Sequence, residues 1–238
     1  MRSCVLKVDF HIHTADDPID RIPYSTRQLI DRAAALEFDV LAITLHDRQL
    51  DVRPFEAYAA ERGLLLIPGI ERTVEGCHVL LINFQKDEVE SVRTFDDVRR
   101  LKERSAGLVI APHPYFPGPH SLFGALTRHA EIFDAIERNA MYTASLDFNR
   151  RAERWARAHD KPMVGNGDVH RFEQLGLTYS LVDADRSPAA ICAAVAAGRL
   201  RVVTRPLTWV TAMRVVAGIF ASALVLGPRS PEPAGATV

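Results

Sequence analysis

Short runs of apolar, β-prone residues punctuate the chain, most of them followed by a stretch of helical periodicity, and this repeat of strand and helix narrows the fold more than any other feature. The runs are Val5 to Ile12, Phe38 to Leu45, Leu64 to Ile70, His78 to Phe84, Leu108 to Pro112, Phe133 to Glu137, Pro162 to Val164 and Tyr179 to Val182. Each is nearly continuous in hydrophobicity, which predicts strands buried on both faces and hence a mainly parallel sheet. Ser25-Thr26-Arg27-Gln28 has the form of a capping box, opening a helix with Leu29, Ile30, Ala33, Ala34 and Leu36 on one face. Asp147 to Ala158 and Pro188 to Ala197 also read as helices, the second a core stripe in which Cys192 is a small hydrophobe. About eight such units favour a small α/β barrel over an open doubly wound sheet, and no glycine fingerprint for a dinucleotide is present.

A chain of 238 residues is long enough to bury one large core without disulfides. Its 29 Lys and Arg against 30 Asp and Glu give a net charge of −1, so no general basic field holds a phosphate backbone, and no extended nucleic acid is expected as partner. Cys4, Cys77 and Cys192 are odd in number and lie in apolar runs, and Arg2 leads straight into strand-like sequence; a reducing, cytoplasmic setting follows. Residues 1–206 form the main domain. Leu207 to Leu226 is a hydrophobic helix, twenty residues with fifteen apolar and Arg214 as its one charge. Either it anchors the protein in a membrane or it packs on the barrel, because the central arginine nearly cancels the apolar gain on insertion. Were it a span, Arg199, Arg201 and Arg205 before it would keep the main domain cytoplasmic. Residues 227–238, rich in Pro, Ala and Gly, read as a disordered tail.

The chemistry gathers at the carboxyl ends of the apolar runs. Asp9-Phe-His11-Ile-His13 ends the first, and a period of two places Asp9, His11 and His13 on one face, the interior in a barrel. His46 and Asp47 end the second, Glu71 the third, His113 the fifth, and Asp168 and His170 follow the seventh. Barrel enzymes assemble their sites from several strand ends at once. Imidazoles and carboxylates without a thiolate suit zinc, manganese or iron with open coordination positions, which points to metal-assisted hydrolysis. Glu137 and Asn139 face the same site, in a supporting or a purely structural role. His120, His129 and His159 fall in loop or helix sequence and read as surface residues.

The strings DFHIHT, AITLHD, PGIE, APHP and GNGDVH, in this order, resemble the signature of the PHP (polymerase and histidinol phosphatase) superfamily over roughly residues 5–206. The resemblance implies a distorted (β/α)7-type barrel, two or three divalent metal ions and phosphoesterase activity. By motif, it implies that His11, His13, Glu71 and Asp168 ligate a first metal, with Glu71 bridging to a second held by His113 and His78. His46 and His170 match ligands of a third, and Asp17 is the best candidate to complete it among Asp16, Asp17 and Asp20. Leu45 stands where the second motif usually has Asp. His11, His13, Glu71, His113, Asp168 and His170 are thus the expected catalytic set, with Asn149 and Arg150 as candidates for holding the substrate phosphate. The expected enzyme hydrolyses a small phosphorylated metabolite or nucleotide through a metal-activated hydroxide. The alternatives are a metal-dependent hydrolase of another electrophile and a non-catalytic, metal-stabilised regulatory module.

Overall fold

The computed structural model describes residues 4–226, the side chains of Cys4 and of 219–226 excepted. β1 (Cys4–Asp9) is followed by α1 (Thr26–Ala35), β2 (Val40–Ile43), α2 (Arg53–Ala60), β3 (Leu65–Val74) and β4 (Cys77–Ile82). Then α3 (Lys86–Ser91) and α4 (Phe95–Arg104) lead into β5 (Leu108–Ala111), α5 (Gly124–Arg128) into β6 (Ala135–Asn139), and α6 (Asn149–Ala158) into β7 (Met163–Asn166). The last elements are β8 (Thr178–Ala184), α7 (Pro188–Ala196), β9 (Leu200–Thr204) and α8 (Trp209–Leu226). The tail reading for residues 227–238 lies outside the described residues.

The strands form one sheet in the order β7-β6-β5-β4-β3-β2-β1-β8-β9, rolled until β7 comes against β8 and β9. This is the expected α/β barrel. No ladder joins β7 to β8; the Gly165 amide instead donates to Ser180 Oγ at 2.9 Å, and that hydroxyl donates back to the Gly165 carbonyl at 3.1 Å. A Cβ on Gly165 would stand 2.8 Å from the Tyr179 carbonyl oxygen, so only glycine admits this approach.

The expectation of a mainly parallel sheet is corrected. β1-β2, β2-β3, β5-β6 and β6-β7 are parallel, whereas β3-β4, β4-β5, β1-β8 and β8-β9 are antiparallel. A parallel neighbour needs a crossover of about a dozen residues, and only Glu75 and Gly76 separate β3 from β4. Both adopt positive φ, 48° and 83°, the combination a two-residue hairpin turn demands. Burial on both faces here comes from barrel closure and covering helices, whatever the strand direction.

One apolar cluster fills the barrel, drawing Leu6 and Val8 from β1, Val40, Ile67, Leu80, Ile110 and Val164 from other strands, and Ile191 and Cys192 from α7. Burial pushes the Cys192 thiol up to about 12, in keeping with a packing role. Two further clusters lie between the strands and the outer helices. The capping box of α1 forms as expected, Ser25 Oγ accepting from Gln28 N and Gln28 Oε1 from Ser25 N.

The membrane-anchor reading of Leu207 to Leu226 is also corrected. Among the described residues no helix is long and apolar enough to cross a membrane. The helix begins only at Trp209, Val215 is buried, and Arg214 is exposed. Bonds fasten this part of the chain to the barrel: Leu207 N donates to the Tyr142 carbonyl at 2.8 Å, Trp209 Nε1 to Ser145 Oγ at 3.2 Å, and Arg171 Nη2 to the Gly218 carbonyl at 3.0 Å.

Candidate metal centre

β1 ends at Asp9, whose carboxylate accepts the amides of His11 and Gly167. The strand alternation therefore does not run on: Leu6, Val8 and Phe10 hold the barrel-interior parity, and the turn past Asp9 brings His11 and His13 to the site. His46 follows β2, Glu71 lies within β3, His78 begins within β4, His113 follows β5, and Asp168 and His170 follow β7. Asp168 and His113 both have positive φ, 48° and 26°, a conformation that non-glycine residues adopt at a cost and that clusters at functional sites.

Glu71 is the hub. Its Oε2 lies 3.2 Å from His11 Nε2, 3.4 Å from His13 Nε2 and 3.2 Å from His46 Nε2. Its Oε1 lies 2.7 Å from His78 Nδ1 and 3.0 Å from His113 Nε2. Asp168 Oδ1 completes the first set, 3.4 Å from His11 Nε2 and 3.6 Å from His13 Nε2. Every residue carried over by motif as a ligand of the first or second metal is thus brought together.

Behind these atoms a second layer fixes the rings. His11 Nδ1 bonds Glu137 Oε1 at 2.8 Å, and His13 Nδ1 and His46 Nδ1 both bond Asp17 Oδ2, at 2.9 and 3.0 Å. With Nδ1 so engaged, Nε2 of each ring is left to face inward. Asp17 was expected as a ligand; it lies behind the rings, its Oδ2 also accepting the His46 amide and its Oδ1 the amides of Ile19 and Asp20. It orients ligands. Asp20 is the acid that meets the third group, its Oδ2 2.9 Å from His170 Nε2.

Asn149 is corrected as a substrate contact. It is buried, its Oδ1 accepting the Asn139 amide and its Nδ2 donating to the Asn139 carbonyl, so it braces the end of β6. Arg150 is exposed on α6 and, among the described residues, makes no bond to the cluster. His120 and His159 are exposed as expected, although His120 stacks on His78 at 4.5 Å. Glu137 and Asn139 prove to be central supports, which their spacing of two at the end of a strand could signal but not assign.

The donor set fits divalent ions. His11 Nε2 and His13 Nε2 are buried and without a hydrogen-bond partner, although carboxylate oxygens stand close by. Two ligands about 2.1 Å from one ion, at tetrahedral or octahedral angles, stand roughly 3.0 to 3.4 Å apart, close to the separations around Glu71 and Asp168. Among the described residues, four groups have potential ligand atoms within 4.8 Å of one another: His11-His13-Asp168, His11-Glu71-His113, His46-Glu71-His78 and His13-His46-His170.

The charges interlock. Burial works to lower the His11 pKa, but Asp168, Glu71 and Glu137 outweigh it and hold the ring well above the ordinary imidazole range. His13 is raised in the same way, burial being overcome by Asp168, Asp17 and Glu71. Burial works upward on Glu71 and Asp168, yet His11 and the other rings hold both well below the carboxylate range. Unlike the rings of His11, His13, His46 and His113, that of His78 is lowered, burial prevailing over Glu71.

A buried array of imidazoles and carboxylates at the mouth of an α/β barrel is the kind of arrangement in which metal-dependent hydrolases hold their ions. The fold is that of the PHP-like proteins, as the motifs implied. A PHP-associated family model matches residues 147–200, which include Asp168 and His170. A two-domain protein from Bacteroides vulgatus, described as containing a predicted PHP-like metal-dependent phosphoesterase, superposes with a TM-score of 0.64 at 21% identity, covering 93% of this chain and 71% of that one. The lesion-specific endonuclease Q of Pyrococcus furiosus superposes at 0.57 and 14% identity, over 84% of this chain and 58% of that one. A 5'-3' exoribonuclease of Haemophilus influenzae is 31% identical over 105 residues, which are 42% of this chain and 37% of the exoribonuclease. Two of these relatives act on nucleic acid by name, which runs against the expectation of no extended nucleic-acid partner. That expectation rested on net charge, which averages over the surface and says nothing of one cleft.

Proposed function

We propose that this chain is a metal-dependent phosphoesterase, holding two or three zinc, manganese or iron ions and hydrolysing a small phosphorylated metabolite or nucleotide. The observation that carries the reading is the division of Glu71, one oxygen facing His11, His13 and His46 and the other His78 and His113. That is what a carboxylate shared between two ions requires. Such ions, when bound, acidify water and neutralise charge developing on phosphoryl oxygens. The chain's own part is to fix the rings through Glu137 and Asp17, to keep Nε2 unprotonated toward the ions, and to hold the carboxylates ionised. His170, its side chain 13% exposed and paired with Asp20, stands at the rim where it can pass a proton to a leaving oxygen.

The exoribonuclease match supports a second reading, in which the ester is carried on an RNA strand. A screen for phosphate release from metabolites, nucleotides and short RNA, using protein loaded in turn with each metal, tests both. His11→Ala and Asp168→Ala each remove a ligand, so turnover should fall by orders of magnitude while the fold survives. Near-normal turnover in both variants, with metal content verified, would refute the assignment.

A further inference from the structure

An apolar groove adjoins the metal centre. Phe116 follows His113 by three residues, its ring centroid 6.3 Å from that of His113 and 5.4 Å from that of Phe148. The loop after β6, whose last residue Asn139 bonds Asp168, contributes Tyr142 and Leu146, and α8 contributes Trp209 and Met213. The cavity they border measures about 270 Å³, and one of roughly 150 Å³ already takes benzene. No charged side chain lines it among the described residues.

Its outer wall is unburied. Leu146, Trp209 and Met213 are 45%, 54% and 63% exposed, a concentration of apolar surface that marks a binding feature when it lies beside a polar centre. The walls are nonetheless fixed: Trp209 Nε1 donates to Ser145 Oγ at 3.2 Å, and the Tyr142 hydroxyl bonds Thr204 Oγ1 at 2.8 Å. Phe116 lines this groove and also contacts the His113 ring, so the groove begins about one ring's width from the ligand cluster.

We propose that this groove receives a flat aromatic group carried by the leaving alcohol of the phosphoester, and so selects which esters the centre hydrolyses. The proposal rests on the phosphoesterase reading. The charge-free lining argues against a second phosphate or an ammonium group, and ring faces such as Phe116, Phe148 and Trp209 favour stacking.

The test compares kcat/KM for 2-phenylethyl phosphate and ethyl phosphate, whose alcohols are alike in acidity, in the metal-loaded chain and in Leu146→Asp and Met213→Asp. The aromatic ester should be preferred about tenfold or more, and both variants should bring the ratio toward one. A ratio near one in the unaltered chain, or one unmoved by both variants, overturns the proposal. If neither ester is hydrolysed, the small-monoester reading fails, and the groove is judged on 2-phenylethanol alone. Trp155→Phe leaves Trp209 as the single tryptophan of the chain's two. A saturable change in its emission, abolished by Leu146→Asp, supports the aromatic site; a flat titration overturns it. A dimer in sedimentation that Leu146→Asp dissolves, with the ratio unmoved, assigns the groove to a second copy and also overturns it.

Discussion

Glu137 is placed to ligate nothing, yet four groups converge on it. Its Oε1 bonds His11 Nδ1 at 2.8 Å and Asn166 Nδ2 at 2.9 Å; its Oε2 accepts from the His113 amide at 2.8 Å and Asn139 Nδ2 at 3.2 Å. Removing such a support frees the ring it orients. Glu137→Ala should lower metal affinity by about ten- to a hundredfold, with Glu137→Gln milder because it keeps acceptor oxygen, as chelator competition would measure. Affinity unchanged in Glu137→Ala would show that His11 is held by packing alone. The clustered side chains themselves were legible in sequence, because His11, Glu71, His113 and Asp168 each sit at or just past the end of an apolar run. The second layer was not: Asp17 and Asn149 carry the same chemistry as ligands or substrate contacts, and only their position behind the rings or under β6 tells them apart.

At the scale of elements, the seam between β7 and β8 rests on one hydroxyl that serves both the amide and the carbonyl of Gly165. Ser180→Ala leaves those two buried groups unmatched and should destabilise the fold by about 1–3 kcal/mol in urea unfolding. A loss near zero would mean that apolar contact between Gly165 and Val202 closes the barrel unaided. The strands up to β8 were legible as apolar runs, though their ends moved by a few residues, β1 stopping at Asp9 rather than Ile12. β9 was not, since Leu200-Arg201-Val202-Val203-Thr204 is only half-buried at the sheet edge and lacks the continuous apolar character of the inner strands. Strand direction escaped for a different reason: hydrophobic content reports burial, and in a closed barrel parallel and antiparallel strands are buried alike.

Taken whole, the molecule has opposite pH responses with and without metal. In the metal-free chain His11, His13, His46 and His113 are raised, so their contribution is complete below about pH 6.5 and is lost as pH climbs through the raised values. Glu71, Asp17 and Asp168 are lowered, so theirs is present above about pH 4.5 and is lost as pH falls. The metal-free protein should therefore be most stable between about pH 4.5 and 6.5, toward the acid side of that range because burial raises the Asp9 carboxyl to about 7. Metal ions require unprotonated imidazole, so binding releases protons and tightens as pH rises. Between pH 6 and 9, Tm after chelation should fall while the gap between loaded and chelated protein widens; a narrowing gap would contradict the ligand assignment. The whole-chain charge of −1 could not foretell any of this, because it sums the surface and is blind to how ionised groups pair inside. The rolled sheet has one more consequence. It is a ribbon whose ends, β7 and β9, touch without sharing a ladder, and Asp168 and His170 lie just past its β7 end. Val169, between them, donates its amide to the His11 carbonyl and accepts the His13 amide, both at 3.2 Å, so only when these two bonds break as the ribbon uncurls do those side chains leave His11, His13 and Glu71. Breathing of the barrel and scattering of the ligands are then one motion, and the rate at which bound metal trades with solution becomes a clock for how often the barrel opens.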